Sequence, residues 1–141
     1  AILARGTINS GMALYVSGGR VVFDYNCFRE HSRIATEVPL SPGAHEVVVQ
    51  VDRNADQSAT ATLSVDGTVA GSAHIPMLLR IISSTGMDFG RSNAPVTDDY
   101  QAPFVYPGRI SRVVIQLPEP ATPKDRKAEV EAEARAAMTR Q

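Results

Sequence analysis

Tryptophan is absent from this 141-residue chain, cysteine occurs once, and neither sign of charge is in excess. Each shortage closes a class of function. A single thiol, Cys27, cannot build a disulfide framework or a multi-thiolate zinc site within one chain. A lone thiol fits a reducing compartment, which slightly favours the cytoplasm. With 14 Lys+Arg against 15 Asp+Glu the net charge is -1. No basic field is available for a phosphate backbone, so no nucleic-acid partner is expected. No apolar run is long enough to span a bilayer, and the stretch Pro76–Ile82 is broken by Arg80. No signal peptide is visible, and the chain begins with Ala rather than Met.

Catalytic signatures are equally scarce. No G-x-S-x-G elbow is present, so nucleophilic hydrolysis has no support. His31, His45 and His74 are isolated, without the close-spaced second ligand of a metal motif. His45 and His74 are expected to lie in strands. Cys27 and His31 are near in sequence, but no third group supports a Cys/His pair, and a tolerated or buried thiol is the simpler reading.

What is there is β-patterned. Met12, Leu14 and Val16 alternate with Ala13 and Tyr15. After Ser17-Gly18-Gly19, Val21, Phe23 and Tyr25 alternate with Val22, Asp24 and Asn26. Gly-Gly takes the positive φ of a tight turn, so the pair predicts a hairpin with Phe23 and Tyr25 facing inward. Cys27 to Arg33 reads as irregular. Two prolines make residues 38–43 a turn.

Ala44 to Asp52 predicts a strand with Val47, Val49 and Val51 on one face and Val48 an apolar exception on the other. Thr60 to Val65 and Thr68 to Ile75 predict a hairpin across Asp66-Gly67. Arg109 to Leu117 alternates again. Clean alternation implies antiparallel sheets with one wet face. Many short strands and almost no helix predict an all-β antiparallel sandwich spanning residues 1–118. Residues 119–141 form a Pro-rich linker and a short C-terminal α-helix, which Thr122-Pro123-Lys124-Asp125 would start.

One stretch fits neither period. Residues 86–109 carry three glycines, three prolines, three aspartates and four aromatics. A long loop without its own secondary structure is usually functional or an interface. Its prolines limit the entropy lost on ordering, and Phe89, Tyr100, Phe104 and Tyr106 are expected to pin it to the sandwich. Asp88, Arg91, Asp98 and Asp99 remain as polar lining. Together with Tyr100, Phe104 and Tyr106 they are the expected interface or rim residues. Asp88, Asp98 and Asp99 are also weak calcium candidates, although no EF-hand spacing is present and turn capping is the commoner role. Phe104 and Tyr106 could serve as sugar-stacking platforms, but anchoring the loop is the preferred reading.

From about Gly11 to Leu117 the chain resembles the C-terminal domain of bacterial arylsulfatases, a laminin-G or concanavalin-like (jelly-roll) sandwich. The landmarks are Leu14-Tyr15-Val16, Gly19 to Asn26, Pro42-Gly43-Ala44-His45 and Val65-Asp66-Gly67. Asp88-Phe89-Gly90-Arg91, residues 95–100, Pro103-Phe104 and Gly108-Arg109-Ile110 complete them.

The resemblance implies a non-catalytic accessory domain packed on a catalytic sulfatase domain upstream in the same polypeptide. The parent would cleave a sulfate ester with a formylglycine, matured from cysteine in a C-x-P/A-x-R motif, and a divalent metal such as calcium. Cys27 does not match that motif, so no catalytic residue and no cofactor is assigned to this chain. A strand preceding this region in the family is expected to be missing, which would leave an unpaired edge. An independent carbohydrate-binding module for glycans is the alternative.

Overall fold

The computed structural model describes residues 1–79, 85–117, 131, 134 and 135. The chain forms two compact units, Ala1–Arg109 and Ile110–Gln141. The first is an all-β, antiparallel sandwich.

Among the described residues ten strands follow in order: β1 (Leu3–Gly6), β2 (Ser10–Ser17), β3 (Arg20–Cys27), β4 (Glu30–Ala35) and β5 (Val47–Arg53), then β6 (Ala59–Val65), β7 (Thr68–Ile75), β8 (Met87–Phe89), β9 (Arg91–Ser92) and β10 (Phe104–Val105). They make a five-stranded sheet, β4-β3-β2-β1-β8, a three-stranded sheet, β5-β6-β7, and a short β9–β10 ribbon.

Both hairpins expected from turn chemistry form. Gly18 and Gly19 have φ of 58° and 78°, and Asp66 and Gly67 have 52° and 81°, the doubly left-handed backbone of a type I′ turn. β4 is the element that local pattern missed. Cys27 to Arg33 is not irregular: Phe28 and Arg29, at φ 50° and 71°, make a two-residue turn into β4. Neither residue type announces such a turn. The Asn26 side chain holds it by accepting the Arg29 N–H at 2.7 Å.

The two larger sheets enclose a core of Val21, Phe23, Tyr25 and Ile34 from one side and Ala59, Ala61, Leu63 and Ile75 from the other. Gly71 of β7 lies against Ile34 of β4, where an added Cβ would come within 2.9 Å of the isoleucine methyl. The glycine thus sets how closely these strands approach.

A second core lies on the opposite face of the five-stranded sheet. Ala4, Ala13, Tyr15 and Val22 project there and are covered by Val96, Tyr100 and Phe104 from the long loop. The expectation of one wet face therefore fails for this sheet. β2 is apolar on both faces because both are covered, and polar Asp24 and Asn26, fully buried, point into the second core. The three-stranded sheet does keep a wet face.

Three further expectations change. The loop 86–109 is not without strands, since β8 joins the edge of the large sheet and β9 pairs β10. His45 precedes β5 instead of lying in it, because Asp66 captures the Glu46 N–H and the His45 ring before the ladder begins. His74 is in β7 as expected. Arg109–Leu117 has the strand pattern but no strand. The start of the C-terminal helix, Thr122–Asp125, lies outside the described residues, whereas Glu131, Ala134 and Arg135 have helical backbone.

Candidate functional site

The densest polar constellation sits where the long loop crosses the five-stranded sheet. Asp24 on β3 faces Arg33 directly across the β3–β4 ladder, and Asn26 faces His31, so all four project to the loop side. Arg33 spreads its guanidinium between sheet and loop. Its Nη2 donates to Asp24 and to the Thr97 hydroxyl, each at 2.9 Å, and its Nη1 lies 3.0 Å from Asp99. Asp99 also accepts the Tyr15 hydroxyl at 2.5 Å. The His31 Nδ1 lies 2.9 and 3.0 Å from the two Asp24 oxygens, which are acceptors only, so Nδ1 carries the proton.

Electrostatics follows the geometry. Burial, followed by the bond to Asp99, pushes the Tyr15 phenol well above its ordinary value. Burial alone would weaken the Arg33 charge, but the bond to Asp24 and the nearby Tyr15 and Asp99 outweigh it and raise its pKa. Asn26 completes the clamp by donating Nδ2 to the Ile8 and Val96 carbonyls at 2.7 and 2.8 Å. Each polar group here is spent on another.

Apolar contacts finish the attachment. Tyr100 stacks on Phe104 at 4.5 Å between ring centroids, and Tyr15 meets both rings edge-on. The Tyr100 hydroxyl donates to Ser92 at 3.0 Å. The Phe104 carbonyl accepts from the Ala1 backbone nitrogen at 2.7 Å.

The expected rim residues therefore separate into two sets. Asp99, Tyr100 and Phe104 are consumed in the clamp. Asp88 accepts from the Asn93 backbone and side chain, each at 2.9 Å, which is turn capping. Tyr106 is half-buried, with its N–H donated to the Gly90 carbonyl. Arg91 and Asp98 are exposed. Phe89 does not pin the loop, because it lies on the outermost strand and is 48% exposed.

Asp88, Asp98 and Asp99 do not converge: among the described residues no group of three or more histidine, cysteine or carboxylate side chains is placed to hold a metal ion. Among those residues, too, no helix is long and apolar enough to cross a membrane.

Comparison with protein-family models, curated proteins and solved structures yields no match. The function must be read from the site.

Sequence reasoning missed the partners of the loop. Asp24, His31 and Arg33 carry no motif in sequence, and only recognition of β4 would have placed the latter two opposite Asp24 and Asn26. A second missed feature is the latch at His45. Its Nδ1 lies 2.6 Å from Asp66 and its Nε2 2.6 Å from the Ser41 carbonyl. Two acceptors on one imidazole require two N–H groups, so the geometry selects the charged ring. The bond to Asp66, followed by that to Ser41, raises the His45 pKa. The latch borders an open depression of about 440 Å³ between residues 36–41 and the start of β7. Cys27 is half-buried, and burial pushes its thiol pKa up, the reverse of what a reactive nucleophile needs.

Proposed function

We propose that this chain is a non-catalytic accessory sandwich of an arylsulfatase-type sulfuric ester hydrolase. In this reading it packs on an upstream catalytic domain through the rim of the 86–109 loop and helps to shape the substrate entrance. The observation that carries the reading is how the loop divides its residues. Asp99, Thr97, Tyr100 and Phe104 are spent inward on Arg33, Tyr15 and Ser92. Phe89, Arg91, Asp98 and Val105 are left outward. A rigid loop with an apolar and charged outer edge suits docking, where an aromatic or arginine anchor is ringed by polar groups. The landmarks of the arylsulfatase resemblance, Tyr15, Asp24, Asp99, Tyr100 and Phe104, also gather in this one clamp, which supports treating them as a unit.

The parent's formylglycine and divalent metal would belong to the catalytic domain. The test is the polypeptide upstream of Ala1 and its activity. A C-x-P/A-x-R or S-x-P/A-x-R motif should precede this chain. In the full polypeptide, Arg91→Glu with Phe89→Ser should lower sulfate-ester turnover while thermal unfolding of the sandwich stays unchanged. Absence of the motif would end the proposal.

The alternative, a carbohydrate-binding module, has less support. Tyr100 already occupies a face of Phe104, and the Tyr106 ring packs over Gly108, leaving no room there even for a Cβ. Binding to a glycan array that is abolished by Tyr106→Ala would favour that alternative.

A further inference from the structure

Residues 36–46 cross from β4 of the five-stranded sheet to β5 of the three-stranded one. Backbone bonds tie this crossover at both ends. The Thr36 N–H donates to the Val21 carbonyl at 2.9 Å, and the Leu40 N–H to the Gly19 carbonyl at 2.8 Å. At the far end the Glu46 N–H reaches the Asp66 carboxylate and the Asp66 N–H reaches the Glu46 carbonyl, each at 2.8 Å. Between these anchors, among the described residues, the contacts of Ser41 with His45 are the hydrogen bonds that hold residues 41–44. Gly43, at φ 120°, gives this stretch a backbone position free to turn.

Ser41 offers the His45 ring two opposite groups. Its carbonyl oxygen, an acceptor only, lies 2.6 Å from Nε2. Its hydroxyl, which can also donate, lies 3.5 Å from the same nitrogen, close enough to bond after a small rotation. The charged ring uses the carbonyl. A neutral ring has a single N–H to give. Asp66 is anionic and fixed by the Glu46 N–H, so it is the stronger acceptor and keeps that proton on Nδ1. Nε2 then turns a lone pair toward the Ser41 carbonyl, and the Ser41 hydroxyl becomes its fitting partner.

We propose that His45 and Ser41 form a two-position pH switch, carbonyl against the charged ring and hydroxyl against the neutral one, with residues 41–44 turning at Gly43. The crossover walls one side of the depression of about 440 Å³, opposite Val65, Thr68, Val69 and Ala70. The switch therefore changes the mouth of that depression. Glu37 in the same wall and Glu46 beside His45 are acids like Asp66, and the lining holds no lysine or arginine among the described residues. This surrounding favours the charged ring. With the bond to Asp66 raising the His45 pKa, the switch operates above the ordinary histidine value of about 6.5. The proposal is independent of the accessory-domain reading.

Nuclear magnetic resonance of the full chain across pH tests it, with long-range proton–nitrogen spectra reporting the protonation and tautomer of the His45 ring. Below the midpoint both ring nitrogens should carry protons, and above it Nδ1 alone. The Ser41 and Gly43 amide signals should shift with the same midpoint. Ser41→Ala removes the partner of the neutral ring and should raise the midpoint by about half a pH unit. Ser41→Thr keeps a hydroxyl and should leave it near the native value. A neutral ring protonated on Nε2, or amides of Ser41 and Gly43 that ignore the titration, overturns the proposal. So does a midpoint that Ser41→Ala leaves unmoved or that Ser41→Thr shifts equally.

Discussion

The Tyr15 hydroxyl donates to the Asp99 carboxylate at 2.5 Å, joining β2 to the loop across 84 residues of sequence. The Tyr15 side chain is buried, while Asp99 is about one-third exposed, so the bond lies at the seam between core and water. Tyr15→Phe keeps the ring contacts with Tyr100 and Phe104 and returns Asp99 to Arg33 and solvent. It should cost about 1 kcal/mol. Tyr15→Ala removes the ring itself and should cost about 3–5 kcal/mol. Urea denaturation of both variants would separate the hydroxyl from the ring.

Arg33 is the harder loss. Without it Asp24, which is wholly buried, keeps only the His31 ring N–H as a side-chain partner among the described residues. Breaking a buried pair strands the other charge, typically at about 3–5 kcal/mol, and the partial exposure of Arg33 places this case at the lower end. Arg33→Met should destabilise more than Asp24→Asn, whose amide can still bond the neighbouring groups. The comparison of their denaturation midpoints checks the order.

Raised pKa values set an alkaline limit. Burial is the leading cause of the upward shifts at Tyr15, Tyr25 and Tyr100. A folded-state pKa above the unfolded one means stability that is complete below the ordinary phenol value, about 10, and lost as pH rises through the raised values. Ultraviolet titration should therefore show these phenols ionising with unfolding rather than before it. Ionisation of all three near the ordinary value in a folded chain would contradict the buried hydroxyls.

His45 responds nearer neutrality. Its raised pKa makes the latch to Asp66 and Ser41 fully present below the ordinary histidine value, about 6.5, and lost as pH rises through the raised one. Asp66, lowered first by its bond to His45, loses its part as pH falls through its depressed value. The resonances of residues 36–46 should shift with His45 titration, and His45→Gln should remove that step.

Gly71→Ala probes the contact between the sheets. The new methyl would meet the Ile34 side chain at 2.9 Å. Overpacking of this kind costs about 1–3 kcal/mol. Ile34→Val with Gly71→Ala should recover part of the loss, and equal stability of all three chains would argue against the packing of β7 over β4.

Local chemistry in the sequence carries the fold where one sheet face meets the core. Glycine pairs, Asp66-Gly67 and period-2 runs identify β2, β3, β6 and β7 because turn backbone and pleat are local properties. β4 is hidden because Phe28 and Arg29, residue types that do not signal a turn, adopt left-handed backbone held by the Asn26 side chain. The second core is hidden for a different reason: it is made between strands and a loop 64 or more residues away, as in the bonds from Arg33 to Thr97 and from Asn26 to Val96. Asp99, Tyr100 and Phe104 are visible in sequence as unusual loop residues. Their partners Tyr15, Asp24 and Arg33 look like ordinary strand residues until the topology brings them together.

Hydrogen exchange of the native chain tests the central claim, that the loop is a rigid clamped rim. Amides from Val96 to Val105 should exchange as slowly as their contact with the sheet requires. In Arg33→Met this segment should lose protection before β6 and β7 do. Fast exchange of these amides in the unsubstituted chain, or no selective loss in Arg33→Met, would contradict the account.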